Sequence, residues 1–233
     1  MKTLTIRFTA PLQSYGNEAN FNRRTSGDYP SKSAVIGMIA AALGYSREDE
    51  QIQELNKLQF AVRIDQPGKI LTDFQTVELE SNKPPKLTYR EYLQDAVFVV
   101  AIGGKIADIN HIKYALNHPR YALFLGRRAN SPAGVLQITE FPDKDSVTAL
   151  KALPWQASTW YQKRHSADKL IKIQIIADAN LLTSKETHLV KDQVGSFDSR
   201  NRQYKFRPIN TTWVELRNPL FKQNTQHDAM SPL

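Results

Sequence analysis

The sequence predicts an α+β fold: a ferredoxin-like βαββαβ domain with a protruding β-hairpin thumb, followed by a smaller β-rich C-terminal part. Three observations predict it. A period-2 apolar run at the N-terminus gives way, after a polar loop, to a run with helical spacing. Alternating runs separated by Pro67-Gly68 then read as hairpin strands. Finally "AVFVVAIGG" passes into a second helical pattern and a further short apolar run. Strand, helix, paired strands, helix, strand is the split βαβ order, which RNA-recognition modules also use.

In chain order, Leu4, Ile6 and Phe8 form one face of the first strand and Thr3, Thr5 and Arg7 the other. The first helix carries Ala34, Val35, Met38, Ile39, Ala42 and Leu43, with Ser31 available as N-cap, Pro30 before it and Gly44 as the stop. A shorter helix is expected over 49–58, with Ile52 and Leu55 inward. Phe60, Val62 and Ile64 alternate as a strand that turns at Pro67-Gly68 into "KILTDFQTV". "AVFVVAIGG" is a buried central strand. Asp108 can cap a helix bearing Ile109, Ile112 and Leu116, and "YALFLG" (121–126) reads as a short buried strand. Beyond it, "KLIKIQIIAD" alternates as a strand, and "QYKFRPI" and "TTWVEL" read as a hairpin.

The expected organisation is a domain over 1–145 with a thumb inserted near 78–95, a β-rich part over 146–217, and a loose tail over 218–233. The insertion turns at "NKPPK", so Lys83 and Lys86 stand at its tip and Tyr89, Arg90 and Tyr92 on its return limb.

Among 233 residues, 31 Lys and Arg exceed 23 Asp and Glu, a net charge of +8, which favours polyanionic partners. No apolar run has the roughly 18 residues of a membrane span, and the N-terminal stretch lacks a signal-peptide core. Zero cysteines exclude disulfides and agree with a reducing, cytoplasmic setting.

The stretch "RRTSGDYPSKS" resembles a phosphate loop, yet Gly27 is followed by Asp-Tyr-Pro-Ser and then Lys32, without the second glycine of a nucleotide nest. Its Ser31, Lys32 and Ser33 still open a helix, where free N–H groups favour an anion, and Arg23 and Arg24 stand upstream. Further basic clusters are Arg127-Arg128 after "FLG", the set Arg200, Arg202, Lys205 and Arg207, and the loop "YQKRHSADK". If 203–209 is a strand, Tyr204 and Phe206 face the core and Lys205 and Arg207 the solvent. The five histidines form no metal pattern, and there is no GxSxG elbow. No catalytic residue, metal or cofactor is assigned; His165 beside Lys163 and Arg164 is the one partial set for metal-free RNA cleavage.

"APLQSYG", "RRTSGDYPSKSAVIGMIAAALG", "FLGRRANSPAG" and "DQVGSFDSRNRQYKFRPI", in this order and spacing, resemble the CasD-type subunit family of type I-E CRISPR Cascade, in the RAMP superfamily. The resemblance runs from residue 2 to about 216. It implies a non-catalytic subunit that grips the 5′ handle of the CRISPR RNA and caps one end of an antiviral surveillance complex. The implied partners are that RNA, the large subunit and the backbone subunit, with target DNA met indirectly. Carried over by motif, Gln13, Ser14, Tyr15, Arg23, Arg24, Lys32, Ser33, Arg127 and Arg128 approach the handle. Lys83, Lys86, Tyr89 and Arg90 cover the guide, and Arg200 and Arg202 add phosphate contacts. A sister subfamily is a metal-independent endoribonuclease of the repeat RNA, with a tyrosine, lysine and histidine site. The return limb "LTYREYLQDAVF" has no histidine, which weighs against that alternative.

Overall fold

The computed structural model describes residues 1–16, 23–78, 84–183 and 186–223. Its strands are β1 (Lys2–Thr9), β2 (Leu12–Gln13), β3 (Arg23–Arg24), β4 (Gln59–Gln66), β5 (Lys69–Val77), β6 (Lys86–Gln94), β7 (Val97–Gly104), β8 (Gln137–Pro142), β9 (Leu170–Asp178), β10 (His188–Ser196) and β11 (Gln203–Arg217). The helices are α1 (Lys32–Leu43), α2 (Gln51–Glu54), α3 (Ile106–Asn117), α4 (Ser146–Ala152) and α5 (Thr159–Arg164). The chain is therefore α+β, and its larger sheet is antiparallel at every junction, in the order β10-β11-β9-β4-β7-β1-β8.

The sheet is covered on both faces, which explains why β7 is apolar throughout rather than alternating. One face of β1, β4 and β7 (Leu4, Ile6, Phe8, Phe60, Val62, Phe98, Val100) packs under α1 and α3. The other (Ala61, Val99 and Ala101, joined by Ile175 of β9) meets Val147 and Leu150 of α4. Thr3 and Thr5, polar partners in the alternation of β1, are consequently buried as well. The ends of α1 follow local chemistry: the Ser31 hydroxyl accepts from the Ala34 N–H, and Gly44, at φ 85°, turns its N–H back to the carbonyls of Ala40 and Ala41.

Several expectations are corrected. Residues 121–126 are not a strand: the N–H groups of Arg120 and Tyr121 bond the last turn of α1 at Ala42 and Ala41, and only Leu125 is buried. The strand beyond β1 is β8, whose half-buried pattern gives a weak sequence signal. Residues 203–217 form one strand, not a hairpin. Its first half pairs with β10 and its second with β9, so Pro208 lies where only one side of the strand is laddered. Helix α3 opens at Ile106 with Lys105 as N-cap, and Asp108 sits in its first turn instead. The basic loop from Tyr161 begins inside α5.

The strand β5 does not join the main sheet. It pairs with β6 from Lys69↔Gln94 to Val77↔Lys86, in a second sheet completed by β2 and β3 on the far edge of β6. β4 pairs directly with β7, and the chain between them carries the β5–β6 hairpin. The β-rich C-terminal strands continue the same main sheet, through Ala61↔Ala177 to Arg63↔Ile175. A buried Arg63–Asp65 pair on β4 fastens the chain after α4, with Arg63 donating to the carbonyls of Leu150, Leu153 and Pro154 and Asp65 accepting from the Gln156 N–H. Lys83 and most of the expected tail, from residue 224, lie outside the described residues.

Candidate nucleic-acid interface

The entry of α1 divides two charged environments. On one side the helix N-terminus already holds an anion, and that anion belongs to the protein: the Lys32 N–H donates to the Asp192 carboxylate at 2.8 Å. The Lys32 ammonium points inward to the Leu58 carbonyl (2.8 Å) and Asp178 (3.1 Å). Arg207 completes the cluster, bonding Asp192 through Nε and Nη2 (2.9 and 2.8 Å) and Asp178 through Nη1 (2.5 Å). Burial holds the Lys32 ammonium below its ordinary pKa despite Asp178. Burial also acts downward on Arg207, but the two carboxylates outweigh it and raise the guanidinium. Lys32 is thus a core cation and not a presented one, and Arg207 faces inward while Phe206 is 62% exposed, the reverse of the expected facing.

On the other side lies a groove of about 860 Å³, walled by α1, the 14–16 loop, the turn after α1, the 121–128 loop and the β10–β11 connection. It gathers Arg24, Ser33, Arg127, Arg128 and Arg202, which are distant in sequence. Arg47 joins them, and Tyr45, Tyr121, Phe124, Phe197 and Tyr204 supply rings. Among the described residues the lining holds five arginines, Arg24, Arg47, Arg127, Arg128 and Arg202, and no Asp, Glu or His.

Arg127 is placed with care. Its Nη2 donates to the Arg24 carbonyl at 2.9 Å, and its guanidinium lies 4.5 Å from the centre of the Tyr92 ring. Its Nη1 is buried without a hydrogen-bond partner, as is Nε of Arg90 on β6. The loop carrying Arg127 is fixed by Gly126: at φ 90° it admits no Cβ, which would overlap the Ser14 carbonyl oxygen. Ser14 in turn donates its N–H to the Leu125 carbonyl at 3.2 Å.

The side chains of the "LQSYG" loop face inward instead of toward a ligand. Gln13 donates to the Ala96 carbonyl (2.8 Å), the Tyr15 hydroxyl donates to Gln13 (2.6 Å), and Ser14 Oγ donates to the Glu91 carbonyl (3.0 Å). Burial pushes the Tyr15 phenol well above its ordinary pKa, and its ring meets Phe98 edge-on at 6.1 Å, so Tyr15 has no open face for a base. Arg23 is exposed beside Glu91 at 3.6 Å. Tyr89, opposite Phe74 in the hairpin, is half-exposed, and Lys86 is exposed at the start of β6. Arg200 is exposed but outside the groove lining. The sequence reading missed Tyr45, Arg47, Tyr121, Phe197 and Tyr204 as site residues. Only the Tyr45 to Arg47 stretch, directly after the helix stop at Gly44, offered a local signal. Among the described residues no group of His, Asp and Glu is placed to hold a metal, and no helix is long and apolar enough to cross a membrane.

Comparison with known proteins bears on this geometry. The family described as CRISPR-associated protein (Cas_Cas5) matches residues 3–209. The Cascade subunit CasD of Escherichia coli (strain K12) is 33% identical over 147 residues, 54% of this chain, which spans 65% of that relative's length. A chain of a CRISPR RNA-guided surveillance complex superposes with a TM-score of 0.74 at 29% identity, over 96% of this chain and 95% of that one. A Cas protein crystal structure gives 0.66 at 26% identity, over 95% and 98%. The match over most of its length places this chain in the Cas5 family of CRISPR-associated proteins.

Proposed function

We propose that this protein is a non-catalytic RNA-binding subunit of a Cascade surveillance complex, and that its groove grips the 5′ handle of the CRISPR RNA. The observation that carries the reading is a concave surface whose described lining has five arginines, several aromatic rings and no carboxylate. Single-stranded RNA is bound in this way, by stacking of unstacked bases on rings and by cations along the backbone. The arginines hold phosphates and set register; Phe197 and Tyr204, edge-to-face at 6.4 Å, offer ring surface at the groove wall. The likeness to a CasD subunit and to a surveillance-complex chain supports the assembly role. The partners are then the large subunit and the backbone subunit, with target DNA met through the complex, in the cytoplasm.

The same proposal covers the finer architecture. The antiparallel order β8-β1-β7-β4, with α1 linking β1 to β4 and α3 linking β7 to β8, supports a ferredoxin-like core. The β5–β6 hairpin is the thumb, and its Lys86, Tyr89 and Arg90 lie over the guide beside Arg23, the register partner of Tyr89. A non-catalytic role is favoured over repeat-RNA cleavage because, among the described residues, the groove lining offers no imidazole or carboxylate as a general base. The test is binding of labelled handle RNA to the purified protein, with repeat RNA incubated in EDTA alongside. Saturable, salt-sensitive binding with intact RNA is expected; specific cleavage overturns the non-catalytic reading.

A further inference from the structure

Successive residues of a strand alternate between the two faces of its sheet, so register shows which side chains share a face. Arg90 and Tyr92 of β6 are two apart and point to the same side of the hairpin. Arg24 of β3, the register partner of Arg90, joins them. Arg23 and Glu91, which pair at 3.6 Å, lie on the opposite side. Arg127 reaches the first side from the groove, with its guanidinium over the Tyr92 ring and its Nη2 on the Arg24 carbonyl. Arg24 and Arg127 both line the groove, so this side of the hairpin root continues its wall. Among the described residues none of Arg24, Arg90 and Arg127 is in an ion pair. Asp73, opposite Arg90 across the hairpin, accepts instead from Gln75 at 2.9 Å. Arg127 Nη1 and Arg90 Nε are sealed from solvent with no acceptor. A buried charged donor without a partner is costly, so the seat of Arg127 on Tyr92 is held against an opposing term.

We propose that Arg127 is a phosphate-operated latch between the groove and the β5–β6 hairpin. The inference rests on the reading that the groove binds the RNA handle. A phosphate in the groove has no access to Nη1 where that atom lies. The guanidinium meets it by leaving the Tyr92 ring and the Arg24 carbonyl, and charge-assisted bonds then replace a ring contact and a bond to a neutral oxygen. Its departure unfastens β3 and the root of β6 from the 121–128 loop, and the hairpin gains freedom to move about its root. Arg127 touches the phosphate; Tyr92 is a positioning residue that acts through it. Such coupling is reciprocal: if RNA frees the hairpin, freeing the hairpin tightens RNA.

The chain has no cysteine, so Thr76→Cys on β5 and Ala107→Cys on α3, both at exposed positions, place a pair of spin labels cleanly. In the full chain, saturation with handle RNA lacking a guide should shift or broaden the distance between them in pulsed EPR. Tyr92→Leu should show the altered distribution already without RNA. It should also bind handle RNA about two- to fivefold more tightly, the factor that an exposed cation–π contact is worth. A merely structural role for Tyr92 predicts the reverse, weaker binding. Tyr92→Phe keeps the ring and should behave as the parent, and thermal melts check that both variants fold. RNA that binds the parent, and binds Arg128→Ala less well, yet leaves the distance unchanged overturns the latch alone. Weaker binding by a folded Tyr92→Leu does the same. RNA that fails to bind overturns the handle reading and the latch with it.

Discussion

The two flanks of α1 use the same residue types to opposite ends. On one flank Lys32 and Arg207 are buried among Asp178 and Asp192 and have no charge left to offer. On the other, Arg24, Arg47, Arg127, Arg128 and Arg202 line a groove that has no carboxylate among the described residues. A basic residue at a helix entry is therefore not a phosphate ligand by position. What decides is whether a carboxylate reaches it first, and Asp192 arrives from 160 positions away in sequence.

The largest effect that could break this comparison is on the buried flank. Arg207→Ala removes the cation that Asp178 and Asp192 share, leaving Lys32 as the one cation beside them among the described residues, and should cost about 3–5 kcal/mol in urea unfolding; a loss under 1 kcal/mol would show that the cluster is not coupled. On the open flank, Arg127→Ala with Arg128→Ala should lower handle-RNA affinity about 100-fold, since charge-assisted hydrogen bonds contribute about 1.5–3 kcal/mol each. The salt slope should fall by about 0.7 per contact. Equal affinity in a fluorescence-anisotropy titration would remove these residues from the interface. Phe197→Leu keeps an apolar side chain against the cluster of Ile36, Ala40, Ile52 and Val194 but removes a ring, so affinity should drop by about 1–2 kcal/mol. Lys32→Met sharpens the contrast: its stability changes while RNA affinity stays within twofold.

The smallest effect concerns α4, where Asp145 does for that helix what Asp192 does for α1. Burial raises the Asp145 carboxyl, but bonds from the Thr148 hydroxyl and the Thr148 and Val147 N–H groups outweigh it, so its pKa is lowered. A depressed folded pKa means that the stabilisation is present above the usual aspartate value and is lost as pH falls through the folded one. Asp145→Ala should therefore cost about 1 kcal/mol at neutral pH, and the gap to the parent should close on acidification in thermal melts.

What was legible in the sequence was local. The Ser31 cap, the Gly44 stop and the alternation in β1, β4 and β9 can be read within a few residues, because the forces that set them act there. β8 was not legible, since none of its residues is buried and its alternation is only between exposed and half-buried positions, one of them Glu140. β11 was misread because Pro208 and "NTT" carry turn chemistry that pairing on alternate sides overrides. Of the residues expected to meet RNA, Arg24, Ser33, Arg127, Arg128 and Arg202 line the groove, whereas the side chains of Gln13, Tyr15 and Lys32 turn inward. Their partners are Ala96, just before β7, Phe98 on β7 and Asp178 on β9, which only the folded sheet brings close.

One junction has a bearing on how such a chain changes over time. Gln66 and Val97 face each other as the last rung between β4 and β7, and the whole hairpin leaves and returns across that rung. The Gln66 amide reaches the Asp95 carbonyl, and Gln13 the Ala96 carbonyl, so the doorway is bolted from both sides. Paired residues in an antiparallel ladder lie only about 5 Å apart, a span that a tight turn can bridge. The hairpin is then a limb on a chassis: it can be lengthened, trimmed or exchanged at a single seam while the sheet beneath it keeps its register.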